Sequence, residues 1–208
     1  MNIIEAVKGG HAAHQTTVIN VAGVDWEVSC DALCLDCDID GDETLAIIPA
    51  GTRLNVSART QQAIADILCF ELLTAEIADA IFEQANVQIK PQTLPISSTA
   101  AATLEHSQKI DKALQGVIFK GPQLVSTVGK HWLKMSEQEK QGHPGMAENY
   151  GWHVSFANPA DKAWNGIAVY PTMTGKNLYN KVIQTPGFCH NPDHVDYSQT
   201  CVLCRKRN

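Results

Sequence analysis

The chain has 208 residues, 44% hydrophobic and 18% charged, with 16 Lys and Arg against 22 Asp and Glu for a net charge of −6. This length can bury one substantial core, and the composition excludes a disordered chain. It also excludes a broad basic footprint for nucleic acid, because the Arg205-Lys206-Arg207 tail is too short to make one.

In chain order, residues 16–30 read as strand: Val18, Asn20 and Ala22, then Val24, Trp26 and Val28, alternate with smaller or polar neighbours. A turn-rich stretch, 38–43, follows, and the apolar run 45–49 reads as the partner strand of a hairpin. Three helices come next. Ser57 caps a segment with Ile64, Ile67 and Leu68 on one face, and Thr74 caps a second carrying Ile77, Ile81 and Phe82. After the spacer 91–95, Ser97 or Ser98 opens a third that runs through Leu114 and stops at Gly116. From Val117 onward the pattern is strand-like, with candidate strands at 124–128, 150–156, 167–170, 182–184 and 197–203. The loop 136–148 is long and reads as mobile or as a lid. The expected class is α+β: an N-terminal β-hairpin, a helical middle of three helices, and a mixed or antiparallel β-rich C-terminal half. One domain, 1–208, is expected, with an internal boundary near 90–98.

No apolar run reaches the roughly 18 residues of a membrane span, and Lys8-Gly9-Gly10-His11 interrupts any signal peptide. A cytoplasmic protein is expected, with virion association and an oligomer left open. The seven cysteines, an odd number, are then expected as thiols.

Four residues that could carry chemistry crowd the last third: His153, His190, His194 and Asp196. If 150–156 is a regular strand, Tyr150, Trp152, Val154 and Phe156 face the core, and Gly151, His153 and Ser155 face away. Pro192 excludes a helix through His190-Asn191-Pro192-Asp193-His194, so the segment reads as a turn leading to Asp196. Two chemistries fit. In one, His153, His190, His194 and Asp196 supply two or three ligands to a metal such as zinc, with a position left for water. In the other, a histidine is a general acid or base oriented by Asp196, with Tyr197 or Ser198 assisting. The spacing of His190 and Asp196 resembles the His and Asp ligand pair of metallopeptidases that cut peptidoglycan peptides.

Other motifs favour blander readings. His106 falls on the apolar face of the third helix, as a hydrogen-bonded core histidine would, and His131 could line the same cleft as the site. Cys30-x3-Cys34-x2-Cys37 has the spacing of a radical-SAM cluster, but no βα repeat follows, and three buried thiols sharing the face of a helical turn fit better. A zinc site joining Cys189, Cys201 and Cys204 to that trio needs distant coincidences; structural thiols are simpler. Asp36-x-Asp38-x-Asp40-Gly41 starts like a calcium loop, but Ile47 stands where the bidentate glutamate belongs, so an acidic hairpin turn is expected.

The order NYGWH, VIQ (182–184), His190 and VDYSQ (195–199) resembles a family of bacterial and phage proteins of unassigned activity. The likeness extends to 61–84 and to LEHS (104–107), covering most of the chain from about Val18. It implies shared pattern positions at Tyr150, Gly151, Trp152, His153, His190, Asp196, Tyr197 and Ser198, and none at the cysteines. The reading is thus a small hydrolase with a His/His/Asp site, acting on a cell-wall peptide or similar polymer. The alternative is a non-enzymatic structural or interaction protein, such as a virion component.

Overall fold

A computed structural model describes residues 1–207 apart from 96, 120 and 127, together with all side chains of that set except residue 189. The expected strand at 124–128 therefore falls partly outside the described residues, as does the thiol of Cys189.

The class is α+β, but the chain opens on a helix, α1 (Ile3–Lys8), not on a hairpin. Asn2 and Glu5 cap each other's backbone N–H groups there. The strand expected at 16–30 breaks at Ala22 (φ 51°) and Gly23 (φ 85°), so Thr16–Val21 folds back on Val24–Ser29. Two successive left-handed residues make the tight turn that matches strand twist. Leu45–Ile48 consequently pairs with Ile39–Asp42, its near neighbour. The single hairpin expected between 16–30 and 45–49 is replaced by two local ones.

Among the described residues, five helices replace the expected block of three: α1, α2 (Ala58–Leu68), α3 (Ala75–Gln84), α4 (Ala100–Ala113) and α5 (Glu137–Gly142). Ser57 and Thr74 cap α2 and α3, and Thr99, not Ser97 or Ser98, caps α4 by accepting the Ala102 N–H. Helix α5 lies in the loop expected to be mobile. Its Ser136–Glu139 capping box and the stacking of His143 on Phe188 (centroids 3.9 Å, planes 7° apart) give that loop local order.

Among the described residues there are two four-stranded antiparallel sheets, one of them built mainly from the N-terminal half. One runs Thr16–Val21, Val24–Ser29, Leu203–Lys206, Glu71–Leu72; the other runs Lys130–Trp132, Ala147–Ser155, Asn180–His190, Tyr170–Pro171. Parallel bridges Leu73↔Leu133 and Lys130↔Gln199 tie the sheets edge to edge. Gly129 makes the second bridge geometrically possible, since a Cβ there would lie 2.5 Å from the Ser198 carbonyl oxygen and the Thr200 hydroxyl. Helix α3 packs over this junction, with Ile77, Ala78 and Ile81 in a core shared with Ile19, Val28, Leu73, Tyr150 and Val202. A second core joins α1 and α2 to Leu54, Leu72, Trp132 and Leu203. Each fully buried Leu or Ile in these clusters contributes about 1.5–3 kcal/mol.

Candidate functional site: one strand, two polar networks

The NYGWH motif lies on the central strand Ala147–Ser155, and the strand is not regular. Gly151 (φ 141°) and Trp152 (φ 53°) both leave the normal region, and pairing with Asn180–His190 slips between Asn149 and Gly151. A bulge adds a residue and reverses which face the following side chains take. The alternation expected from the sequence is thereby overturned. Tyr150 and His153, an odd number apart, converge on one carboxylate, and Trp152 turns to the other face to meet Tyr197 and Ala102. Gly151 permits the bulge because a Cβ there would press on the Lys130 Cα at 3.2 Å.

The carboxylate is Asp79, in the middle of α3 and 1% exposed. Its Oδ1 accepts the Tyr150 hydroxyl (2.5 Å) and pairs with His153 Nε2 (2.8 Å), and its Oδ2 accepts the Thr174 N–H (2.8 Å). Burial, the largest single influence, pushes Asp79 upward. The hydrogen bonds from His153, Tyr150 and Thr174 together overcome it and hold the carboxyl below its ordinary range. Phe82 stacks on the His153 ring at 5.1 Å and closes it off, leaving it 3% exposed. His153 therefore does not project from a polar face. His131, opposite Tyr150 and 5% exposed, lies on this same side, and burial pushes it down to about 3.

The other face collects His190, His194, Asp196 and Ser198. Lys130 and Trp132 sit opposite Gly151 and Asn149, and cross-strand partners share a face. The His190 and His194 rings stack at 4.1 Å, 9° from parallel, and Trp132 meets the edge of His190 at 6.0 Å. The turn that brings the two rings together is built by Asn191, whose side chain accepts the Asp193 N–H and whose carbonyl accepts the His194 N–H. His194 Nε2 lies 3.9 Å from Asp196 Oδ2, and the Lys130 ammonium donates to that same oxygen at 3.0 Å. Asp196 Oδ1 accepts both the N–H and the hydroxyl of Ser198. Desolvation raises the Asp196 carboxyl, but the Lys130 charge and the Ser198 hydrogen bonds outweigh it, so the group is held low and ionised. Burial first, then the charges of His194 and Lys130, push His190 below the ordinary histidine range.

His190 stands opposite Ala147, and His153 opposite Val182. Six residues of strand, roughly 15–20 Å, separate His190 from His153, on opposite faces. The structure thus unites His190, His194, Asp196 and Ser198 and places His153 elsewhere. Tyr197 is 5% exposed and packs its ring against His106 at 5.3 Å and Trp152 at 6.0 Å. Sequence reasoning missed Lys130 and Asp79, whose partners lie 66 and 71 or more residues away. It also missed Asn149, which is 0% exposed and finds no partner for either amide atom among the described residues.

His106 is buried on α4 as expected, but not as the hydrogen-bonded core histidine that was expected. Neither ring nitrogen has a partner among the described residues; aromatic edges surround it, and burial, reinforced by the Arg53 charge, pushes it down to about 4. Cys30 and Cys34 do not share a helical face with Cys37, because Cys34–Leu35 is a short strand paired with Ala12–Ala13. Cys201 and Cys204 are buried free thiols, and burial pushes Cys204 up to about 12. The acidic motif is not the hairpin turn: Asp40 and Gly41 lie in the strand Ile39–Asp42, and the chain turns at Glu43–Thr44, where Asp42 accepts from Thr44 and from the Ala100 N–H at the start of α4. These bonds pull Asp42 down to about 2.

Among the described residues, the group with metal-ligand spacing is His11, Asp36 and Cys37, whose donor atoms all lie within 4.8 Å of one another. A cluster able to chelate a metal ion is therefore present, and metal-assisted chemistry is open to the chain. It was visible in the sequence only as unconnected pieces, one histidine of the pair His11 and His14, the first acid of the calcium-like loop and the last cysteine of the trio. No described helix is long and apolar enough to cross a membrane. No family model, no curated protein and no solved structure matches this chain.

Proposed function

We propose that this protein is a hydrolase that uses the stacked His190–His194 pair for general acid–base catalysis, with Asp196 as the orienting carboxylate and Lys130 as its counter-charge. The observation that carries this reading is the stacking of two partly exposed imidazoles, one of which, His194, lies 3.9 Å from the buried, ionised Asp196. His190, depressed by burial and by neighbouring charge, is unprotonated at neutral pH, the state a general base needs. It takes a proton from water as the oxygen attacks an acyl carbon, and the imidazolium returns that proton to the leaving group. Asp196 stabilises the positive charge that develops on the histidine pair. Ser198 and Tyr197 are buried and act by positioning Asp196 and its loop.

A groove of about 860 Å³ lies beside this pair: Ala147, opposite His190, and Pro192, between the two histidines, both line it, while the two rings stand outside its lining. Its floor is apolar (Leu72, Leu133, Met146), and Arg59, Lys134 and Lys140 stand on its rim. An apolar floor below charged side chains suits a polar polymer with small apolar side groups, and a cell-wall peptide is the substrate class we favour.

The test is release of soluble fragments from peptidoglycan by purified protein. His190→Ala and His194→Ala should each lower the rate by about 10²-fold or more with an unchanged urea midpoint. The second reading is a non-enzymatic interaction protein, favoured by the solvent-closed Asp79 network around His153. Absent turnover by the wild type, or variants that lose stability and not rate, would select it.

A further inference from the structure

We propose that His11, Asp36 and Cys37 bind a zinc ion with its fourth coordination position open to solvent, independently of the histidine pair. The three donors are an imidazole nitrogen, a carboxylate oxygen and a thiolate sulfur. This mixed set of borderline softness suits zinc better than calcium or magnesium, which take oxygen alone. His11 Nδ1 already lies 2.9 Å from Asp36 Oδ1, and all three donors fall within 4.8 Å, so movements of about an ångström bring them onto a tetrahedral ion.

Backbone pairing holds the donors in place before any ion arrives. The Asp36 N–H donates to the His11 carbonyl at 2.9 Å, and the ladder Ala12↔Leu35, Ala13↔Cys34 continues that pairing. The ligands from residue 11 and from residues 36–37 therefore face each other across a fixed two-stranded ribbon. The side chains of His11 and Asp36 are 41% and 63% exposed, so an ion enters from solvent and retains a water. Cys30 and Cys34 stand apart, lining a separate cavity of about 260 Å³ with Asp31. Bound zinc would fasten the residues after α1 to the turn before the Ile39–Asp42 hairpin, raising the melting temperature of the whole chain.

Cobalt substitution tests this directly. The reduced, chelator-stripped full chain is titrated with Co²⁺ and followed by absorbance, and Zn²⁺ is then added in competition. The expected result is one Co²⁺ per chain, with a near-ultraviolet thiolate-to-cobalt band that zinc abolishes. Cys37→Ser should lose the band. His11→Ala should weaken binding by more than the roughly 10-fold that losing an outer-shell partner costs. Cys69→Ser, which removes an exposed thiol elsewhere, should change nothing. Asp36→Asn, on an exposed turn that tolerates the change, should weaken binding too and serves if Cys37→Ser misfolds. No uptake by the wild type, or a band that survives Cys37→Ser, overturns the proposal.

Discussion

The two faces of the strand Ala147–Ser155 are built from one motif and put to opposite uses. On one, Asp79 gathers Tyr150, His153 and Thr174, and Phe82 covers the ring of the histidine. On the other, Asp196 gathers Lys130 and Ser198, and the stacked His190 and His194 beside it reach solvent. Both carboxylates are buried, ionised and below their ordinary range. The difference lies in what the histidines do. The first network uses up its imidazole internally, as a fold-defining latch would. The second leaves two imidazoles available to a ligand. A titratable cluster is therefore informative about function only when its exposed members are considered separately from its closed ones.

The largest way to break this comparison is Asp79→Ala. It leaves the Tyr150 hydroxyl and His153 facing an uncompensated buried space, and a loss of about 3–5 kcal/mol is expected in urea unfolding. A loss below about 1 kcal/mol would deny that this face is the latch. Next is Gly151→Ala, which forces an L side chain into a φ of 141° against the Lys130 backbone. About 2 kcal/mol should be lost. Any hydrolytic activity should fall with it, because Lys130, which holds Asp196, is paired with Gly151 across the ladder; full activity with reduced stability would separate the bulge from the site.

The remaining effect is a pH slope, and it draws on one histidine from each face. His106 and His131 are buried and uncharged in the fold, held at about 4 and about 3 by burial first and neighbouring charge second. In the unfolded chain each returns to about 6.5. A folded-state value below the unfolded one means that the unfolded chain binds the extra proton, so stability is full above about pH 6.5 and falls as the solution is acidified toward the folded values. Each histidine should contribute a loss of roughly 1.4 kcal/mol per pH unit over that window. His106→Phe should reduce the slope between pH 6 and 4.5, as measured by urea midpoints, by roughly 1.4 kcal/mol per pH unit. An unchanged slope would show that His106 titrates normally.

Much of the helical middle was legible before any coordinates. Ser57 and Thr74 announce α2 and α3 because an N-cap is a local event, satisfied within three residues. The turn at Asn191-Pro192 was legible for the same reason. The opening hairpin was misread because Ala22 carries no turn signal of its own; its left-handed backbone is selected by pairing of the strands it joins. The face assignment of His153 failed on a single extra residue, since strand periodicity passes from sequence to structure only while the ladder stays in register. Asp79 was invisible because it occupies a helix position among Ile77, Ala78 and Ile81, where pattern alone predicts an apolar residue.

By itself, the sequence determined an acidic chain of α+β type, helices α2, α3 and α4, and the crowding of histidines and Asp196 near one end. Those properties depend on composition and on neighbours a few residues apart. Tertiary structure alone decided which histidines are closed and which are open, that Lys130 faces Asp196 across 66 residues, and that His11 meets Asp36 and Cys37. The reason is that a side chain's partners are set by the register of paired strands and by one bulge. Those features arise from the free energy of the whole packed chain and leave no mark on any short stretch of it.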